Sequence, residues 1–430
     1  YLPAPTATAD PLQRGQASII RAPSLNVWVN ETSPEHKELL LGMMDDFREQ
    51  IGVDVSLQLV SPMLLPDLMQ TAVLSDTLPD IVLHPLEYTM TWTEQGILDP
   101  QLSGALIDEI GRDTFDPAAL DLVSVDGRPA AIPSDGFQQI WLYRSDWLEE
   151  ESLEIPDSYG NLLLAAETFF DPDSIVSGLV IPTESNLINT HRAFEQVAIA
   201  NDCRLIDDKG EVRLLDEECR DALDFYYLVV NKFSPPGVQT DTSARNAFLN
   251  SRTGIIMTSP AILPDLVEAG RLEQTGILTT LTGSARTAEP ANFGNLTYLG
   301  ITSKADPQVA AAFARYWFNE GYPTWLAEES ERKVPMRLGT AEEPRLFIDN
   351  WGKTPIVGDE SIVDLYGTEN VNLLRDGVAD TPRWGFREGQ GAIVGNLYEN
   401  LTFSVVLQEM LSGYFNTEKT IQEAADRVIE

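Results

Sequence analysis

The fold is decided by three apolar runs near the start of the chain, SLNVWV at residues 24–29, VDVSLQLV at 53–60 and IVL at 81–83. The second run alternates with period two and the third is wholly apolar, which is typical of a half-buried strand and a fully buried strand. Apolar residues recur at helical spacing between these runs, at about 34–51 and 64–74. The resulting β-α-β-α-β order predicts a mostly parallel sheet with helices on both of its faces.

A second group of elements begins near residue 125. Asp126-Gly127 predicts a hairpin turn, and the runs at 140–143, 178–181 and 254–257 are typical of buried strands with helices between them. We therefore expect a second α/β lobe here. Further strands and helices are predicted, in chain order, at 276–281, 296–301, 307–319 and 421–429.

Composition limits the class of protein. The 430 residues are enough for two or three domains, and 43% of them are apolar. No apolar run approaches the roughly 18 residues that a membrane helix needs. The 29 basic and 67 acidic residues give a formal net charge of −38, which would repel nucleic acid and anionic lipid.

Two cysteines, Cys203 and Cys219, flank a turn signal at Asp208-Lys209-Gly210. The turn joins two short apolar segments and leads into a predicted helix at 217–232, a path that brings the two sulfurs together. We predict a disulfide if the protein is exported, and two buried free thiols are the alternative. With only three distant histidines, the chain has no recognisable set of metal ligands, and we predict neither a metal nor a cofactor.

Five segments carry recognisable patterns in order along the chain. They are LNVWVN with FREQIGVDVSL (25–30 and 47–57), LSDTLPDIVLHPLEYTMTWTEQGILDPQL (74–102), VDGRPAAIPSDGFQQIWLYRSDWLEE (125–150), AFLNSRTGIIMTSPAIL (247–263) and NLTYLGITSKADPQVAAAFARYWF (295–318). Together they resemble the extracellular solute-binding protein family 1, whose familiar members bind maltose and other sugars for ABC importers. The resemblance covers about residues 24–335, and the segment 335–400 has no counterpart.

The resemblance implies an α/β protein with the two-lobed periplasmic-binding-protein type 2 fold. Each lobe would be a mostly parallel sheet flanked by helices, and hinge crossovers near 133–137, 279–286 and 320–330 would join the lobes. The predicted division is a flexible linker at 1–23, lobe 1 at 24–134 plus 285–325, and lobe 2 at 135–284 plus 326–430.

The resemblance also implies a ligand cleft between the lobes, for a small polar ligand such as a sugar or oligosaccharide. Sugar hydroxyls need planar polar partners, and the faces of the ring pack on aromatic side chains. The candidate ligand-binding residues are Asn30, Glu31, His84, Asp135, Phe137, Asn189, Ser259, Asn295, Trp351 and Trp384. Each also has a plain structural interpretation, as a helix cap, a hinge residue or a buried anchor. Arg383 is expected to pair either with an acidic sugar or with Asp380.

The implied function is the extracytoplasmic solute-binding component of an ABC importer, and we expect no catalytic residues. The expected partners are a small carbohydrate ligand and a membrane permease, with no nucleic acid, and the chain is expected to be a monomer. We expect it in the periplasm or on the outer face of the cell membrane, anchored through a lipidated residue upstream. A secreted glycan hydrolase and an extracellular adhesion module are the alternatives.

Overall fold

The computed structural model of the protein describes residues 24–31 and 34–429, and the predicted linker at 1–23 lies outside the described residues. The strands are β1 (Ser24–Val29), β2 (Asp54–Leu59), β3 (Ile81–Pro85), β4 (Ser124–Val125), β5 (Arg128–Pro129), β6 (Ile132–Gln138), β7 (Ile140–Arg144), β8 (Ser177–Val180), β9 (Thr253–Thr258), β10 (Thr275–Leu278), β11 (Thr280–Leu281), β12 (Ala291–Asn292), β13 (Gly294–Ile301), β14 (Val334–Pro335), β15 (Pro355–Val357) and β16 (Glu360–Ser361). The α-helices are α1 (Pro34–Ile51), α2 (Leu65–Ser75), α3 (Leu86–Glu94), α4 (Pro100–Ile110), α5 (Pro117–Asp121), α6 (Ser145–Glu151), α7 (Tyr159–Phe169), α8 (Ile188–Ala200), α9 (Glu217–Phe233), α10 (Asp241–Leu249), α11 (Leu263–Glu268), α12 (Pro307–Tyr316), α13 (Tyr322–Ala327), α14 (Leu346–Asn350), α15 (Ile362–Arg375), α16 (Gly391–Glu399), α17 (Thr402–Leu411) and α18 (Thr417–Ile429).

The first sheet has six strands within the described residues, in the order β14-β6-β13-β3-β1-β2. β1 pairs in parallel with β2 and β3, as the three opening runs predict, whereas β13 runs antiparallel to both β3 and β6. β2 lies at the edge, so its residues alternate between exposed and half-buried positions. β3 lies in the interior and is buried at every residue, which explains its wholly apolar start.

The second sheet has the order β10-β7-β9-β8. β8 and β9 are parallel, and β7 runs antiparallel to both β9 and β10. Helices α7 and α9 pack on β8, and α10 packs on β9. Both sheets therefore combine parallel pairs with antiparallel strands and are flanked by helices.

The chain passes between the sheets more than once. β6 belongs to the first sheet and β7 to the second, so the first crossover is at residues 138–140. A later return runs from β10 of the second sheet to β13 of the first. Beyond the third crossover expected near 320–330, Val334 and Pro335 still pair with β6 of the first sheet. The predicted lobe boundaries stay a prediction.

The C-terminal helices contact both groups of elements. α16 packs on α3, beside the first sheet, while α17 packs on α8, beside the second. A glycine permits the close approach of α16 to α3, since a Cβ atom at Gly395 would lie 2.0 Å from Thr91 Oγ1. Thr91 donates to the carbonyl of Ala392, and Trp92 Nε1 donates to Glu399 Oε1 at 2.6 Å. This contact places the end of α16 close to the ends of the strands of the first sheet.

The predicted disulfide between Cys203 and Cys219 is confirmed. It joins the residues after α8 to the first turn of α9, and both cysteines are buried. The intervening turn brings Ile206 and Val212 together as an antiparallel bridge, as the turn signal predicts. Among the described residues, we find no helix whose length and apolar character would let it span a bilayer.

Candidate ligand-binding site

A cavity of about 740 Å³ lies between the ends of the strands of the two sheets. The first sheet and its helices supply Asn30, Tyr88, Phe137, Asn295 and Arg332, together with other residues. The opposite wall comes from the second sheet and from α8 and α10, and it includes Gln139, Asn189, Arg192, Arg245 and Ser259. Ligands of open α/β sheets bind at such strand ends.

Five of the residues expected to bind ligand line this cavity: Asn30, Phe137, Asn189, Ser259 and Asn295. Asn30 follows β1, while Phe137 and Asn295 lie opposite each other in the pairing of β6 with β13. Ser259 follows β9 on the other wall, and Asn189 lies in the first turn of α8. The structure brings these residues together, and their contact with ligand stays a prediction.

His84 lies close to the cavity but is fully buried. Its ring lies between Trp92 and Tyr298, and its Nδ1 is 3.0 Å from the carbonyl oxygen of Pro85. Burial lowers the pKa of the His84 imidazole to about 4, so the ring is neutral near neutral pH. The structure therefore places His84 in the core, and the following residue, Pro85, lines the cavity instead.

Asp135 and Glu31 also point away from the cavity lining. Asp135 is buried, and its Oδ2 accepts hydrogen bonds from Ser134 Oγ at 2.6 Å and from Trp325 Nε1 at 2.7 Å. Burial raises the pKa of the Asp135 carboxyl, and these donors hold the side chain toward the core. Glu31 Oε2 lies 2.6 Å from Nδ1 of His36, at the start of α1.

The two candidate tryptophans are buried anchors rather than cavity walls. Trp351 donates from Nε1 to the carbonyl of Ser330 at 2.8 Å, and Trp384 donates to the carbonyl of Cys203 at 2.9 Å. Each indole thereby places its apolar body in the core and satisfies its polar atom. The aromatic side chains that do line the cavity are Tyr88, Phe137 and Tyr398.

A buried ionic cluster forms the floor of the cavity. Arg192, which lines the cavity, donates two hydrogen bonds to Glu87, from Nε at 2.8 Å and from Nη2 at 3.0 Å. Arg383 is fully buried and donates to Glu87 at 2.9 Å and to Glu195 at 2.9 Å. Tyr398 donates to Glu195 at 2.6 Å.

This cluster holds its charges by mutual compensation. Burial alone would raise the pKa of Glu87, but the guanidinium groups of Arg192 and Arg383 outweigh it and hold that pKa well below its usual range. Arg383 therefore pairs with Glu87 and Glu195, and among the described residues it makes no ion pair with Asp380, which pairs with Arg387 instead. The participation of Glu195 and Arg192 was missed, because polar residues on a helix give no signal of which way they face.

The opposite wall has a hydrogen-bonded network among its own side chains. Arg245 donates to Thr258 Oγ1 at 3.2 Å and to Ser259 Oγ at 3.0 Å, and it forms an ion pair with Asp241 at 2.9 Å. Thr258 in turn donates to Asp241 Oδ1 at 2.7 Å. These side chains are therefore fixed in position before a ligand arrives.

The first wall has polar atoms whose hydrogen bonds are not made. Asn30 Oδ1, Asn295 Oδ1, the Tyr88 hydroxyl and Arg332 Nε are buried atoms of cavity-lining residues, and they have no hydrogen-bond partner within the part of the chain that the structure describes. A buried polar atom without a partner costs roughly 1–3 kcal/mol, and these atoms have almost no accessible surface, so they lie beneath the cavity lining rather than at its surface.

One side of the cavity mouth is closed by a direct contact between the walls. Met63, in the segment before α2, and Asn186, before α8, approach to 3.6 Å between the sulfur and the amide nitrogen.

Away from the cavity, Glu31, His36 and Glu329 have potential ligand atoms within 4.8 Å of one another. The His36 imidazole is engaged with Glu31 there, and we assign no metal to this group.

No family model matches the chain. Among curated proteins, it is 26% identical over 232 residues to the putative ABC transporter periplasmic-binding protein YcjN of Escherichia coli (strain K12), covering 53% of this chain and 52% of that protein. It is also 26% identical over 163 residues to the mannitol-binding protein of Pseudomonas aeruginosa, covering 37% of each. The chain thus spans about half the length, or less, of the curated relatives it matches.

Solved structures resemble the chain over nearly its whole length. A solute-binding protein of an ABC transporter from Thermotoga lettingae, bound to α-D-tagatose, aligns with a TM-score of 0.75 at 19% identity and covers 95% of this chain and 99% of its own. A maltose-bound Thermotoga maritima protein aligns at 0.72 and 16% identity, with the same coverage. A D-mannitol-bound protein from Agrobacterium vitis aligns at 0.68 and 16% identity, covering 95% and 98%. The chain therefore has the two-lobed α/β fold of the solute-binding proteins of ABC transporters, which confirms the predicted resemblance to that family.

Proposed function

We propose that the chain is the extracytoplasmic solute-binding component of an ABC importer and that it binds a sugar or polyol in the cavity between its two sheets. The observation that carries the proposal is the cavity between the strand ends of the two sheets, which polar side chains line on both walls, among them Asn30, Asn189 and Asn295. A polyhydroxylated ligand is the class of small molecule that donates and accepts hydrogen bonds at many closely spaced positions.

The shape and lining of the cavity support the same ligand class. A volume of about 740 Å³ lies within the range of pockets that enclose small molecules. Phe137, which is half-buried, offers an aromatic ring on which the C–H face of a sugar packs. The similar proteins include one named for mannitol and structures with bound tagatose, maltose and mannitol.

The two walls of the cavity would contact the ligand at different stages of binding. Asn30, Phe137 and Asn295 line the first wall and would contact the ligand there. The network around Arg245 would then meet the ligand as the second sheet closes over it. A ligand that contacts both walls favours the closed state, because its affinity for that state is higher. The closed form would be recognised by a membrane permease, and we propose that the chain acts as a monomer.

Binding without turnover is the proposed activity. The similar proteins are binding proteins rather than enzymes. The carboxylates of the cavity floor also serve as partners of arginines, in the case of Glu87 with Arg192 and Arg383. We therefore expect a bound sugar to be recovered unchanged.

The test is a thermal-shift screen of neutral sugars and polyols, including D-tagatose, D-mannitol and maltose, followed by calorimetry. A true ligand raises the melting temperature progressively with its concentration, since stabilisation follows RT ln(1 + [L]/Kd). Asn295→Ala should weaken binding about tenfold or more, because it removes a polar side chain from the cavity lining. Asn396→Ala, at an exposed position on α16, is the matched control and should bind normally. Conversion of a glycan, or the absence of any stabilising sugar or polyol, would contradict the proposal.

A further inference from the structure

The charges that line the cavity are not balanced. Each of its three arginines already has a carboxylate partner: Arg192 pairs with Glu87, Arg245 with Asp241 and Arg332 with Glu329, at 2.8, 2.9 and 3.0 Å. The positive charge of the wall is therefore largely neutralised by the protein itself, and little of it remains to attract an anionic ligand.

Three cavity-lining carboxylates have no such partner. Within the described ranges, no Lys, Arg or His nitrogen lies within 4.0 Å of the carboxylates of Asp67, Glu184 or Glu399. Asp67 is exposed at the rim, whereas Glu184 and Glu399 are half-buried. Across the cavity, the uncompensated charge is thus negative, and it lies on both walls.

Glu399 is the most informative of the three because it is held in place. It is the last residue of α16, and its Oε1 accepts the hydrogen bond from Trp92 Nε1. Gln95 also donates to it, but neither partner brings a positive charge. Burial raises the pKa of the Glu399 carboxyl, because the charged form loses contact with water and no cation beside it compensates for that loss.

On the basis of the proposed function, we infer that the preferred ligand is a polyhydroxylated compound that carries a protonated amine, such as an amino sugar or an amino polyol, with the ammonium group on Glu399. An ammonium group donates three hydrogen bonds and brings the charge that Glu399 lacks. The ligand hydroxyls bind to the uncharged polar side chains of the cavity lining, such as Asn189 and Ser259. A sugar acid would instead bring a further negative charge and further acceptors to a site that already has an excess of both.

The discriminating experiment measures affinity, by calorimetry, for matched triads that differ in one substituent. Suitable triads are glucosamine, glucose and glucuronate, and galactosamine, galactose and galacturonate. Within the triad whose ring stereochemistry fits, the amine should bind about tenfold or more tightly than the neutral sugar, because its ammonium group makes a charge-assisted hydrogen bond to Glu399. The acid should bind most weakly.

Two variants separate this inference from a general charge effect. Glu399→Gln keeps the acceptor for Trp92 Nε1 and removes the charge, so the ratio of the affinity for the amine to that for the neutral sugar should fall to about one. Glu94→Gln, at an exposed position of α3 outside the cavity lining, removes the same charge and should leave the ratio unchanged.

The possible results distinguish the inference about the amine from the proposed function. Neutral sugars that bind as tightly as their amines, or an amine preference that survives in Glu399→Gln, would overturn the inference and leave the proposed function intact. If no member of the triads binds, and the neutral sugar and polyol screen also finds no ligand, both proposals fail together.

Discussion

Replacement of Arg383 by methionine should strongly destabilise the fold, although the residue lies outside the region of family resemblance. The guanidinium is fully buried and donates to Glu87 and Glu195, each at 2.9 Å, and to the Tyr398 hydroxyl at 3.2 Å. Methionine has a similar length but no charge. Glu87 would keep Arg192 as a partner, whereas Glu195 would keep only the Tyr398 hydroxyl and the backbone N–H of Trp384.

The expected cost follows from that asymmetry. Removing one partner of a buried ion pair leaves an uncompensated charge in the core, which costs about 3–5 kcal/mol of unfolding free energy. The double variant Arg383→Met with Glu195→Gln removes the stranded charge together with its partner. It should therefore recover about 2 kcal/mol or more of the loss, since replacing a whole buried pair is often nearly neutral.

Urea denaturation of the wild type, the two single variants and the double variant closes a thermodynamic cycle. Arg345→Met is the matched control, because Arg345 is exposed and pairs only with Asp349 on the same helix turn, so its loss should cost about 0.5 kcal/mol or less. A cost below about 1 kcal/mol for Arg383→Met, or effects of the two core substitutions that simply add, would refute the reasoning.

Three further predictions concern stability. Replacing Cys203 and Cys219 by serine should lower the unfolding free energy by about 3 kcal/mol, since the disulfide closes a loop with a sequence separation of 16; unchanged urea midpoints would speak against this. Burial lowers the pKa of His84 to about 4, so the neutral ring contributes stability above about pH 6.5, and this stability is lost as the pH falls toward about 4. In urea denaturation, the unfolding free energy of a His84→Gln variant should therefore fall less steeply with decreasing pH than that of the wild type. An identical dependence on pH would exclude the effect. Gly395→Ala should destabilise by about 1–3 kcal/mol because its Cβ would overlap α3, whereas Gly160→Ala, with no atom within 4 Å, should be neutral or slightly stabilising; equal melting temperatures for the two variants would show that the α16 contact tolerates the methyl group.

The elements of the fold could be predicted where local patterns determine them. The period of two in β2 reflects its place at a sheet edge, and the apolar run of β3 reflects burial on both faces. The hairpin turn between the cysteines likewise fixed their pairing, because it joins segments that are adjacent in sequence.

Site residues at strand ends could be predicted for the same reason. Asn30 directly follows β1, and Asn295 lies at the start of β13. The direction of each strand determines at which edge of the sheet these residues lie, and both line the cavity. The role of Trp351 and Trp384 could not be predicted, because a tryptophan in a loop can pack in the core as readily as it can stack on a ligand. Their burial depends on hydrogen bonds to the carbonyls of Ser330 and Cys203, which are distant in sequence.

The buried cluster was beyond reach from the sequence for a related reason. Glu87 and Arg383 are 296 residues apart, and their pairing depends on how α16 and the segment before it fold back against α3. In a chain with 67 acidic residues, proximity in sequence does not indicate which carboxylate meets which arginine.

The location of the ionic cluster bears on how the molecule opens. Its members come from α3 on one side and from α8 on the other, so this pair of helices is tied by charges that would be left unpaired in the core if they separated. The sulfur–amide contact between Met63 and Asn186, in contrast, is a weak link at the mouth. We therefore expect the cavity to open at the contact between Met63 and Asn186, while the ion pairs of the arginines stay intact. Solute would then enter and leave at that side of the cavity.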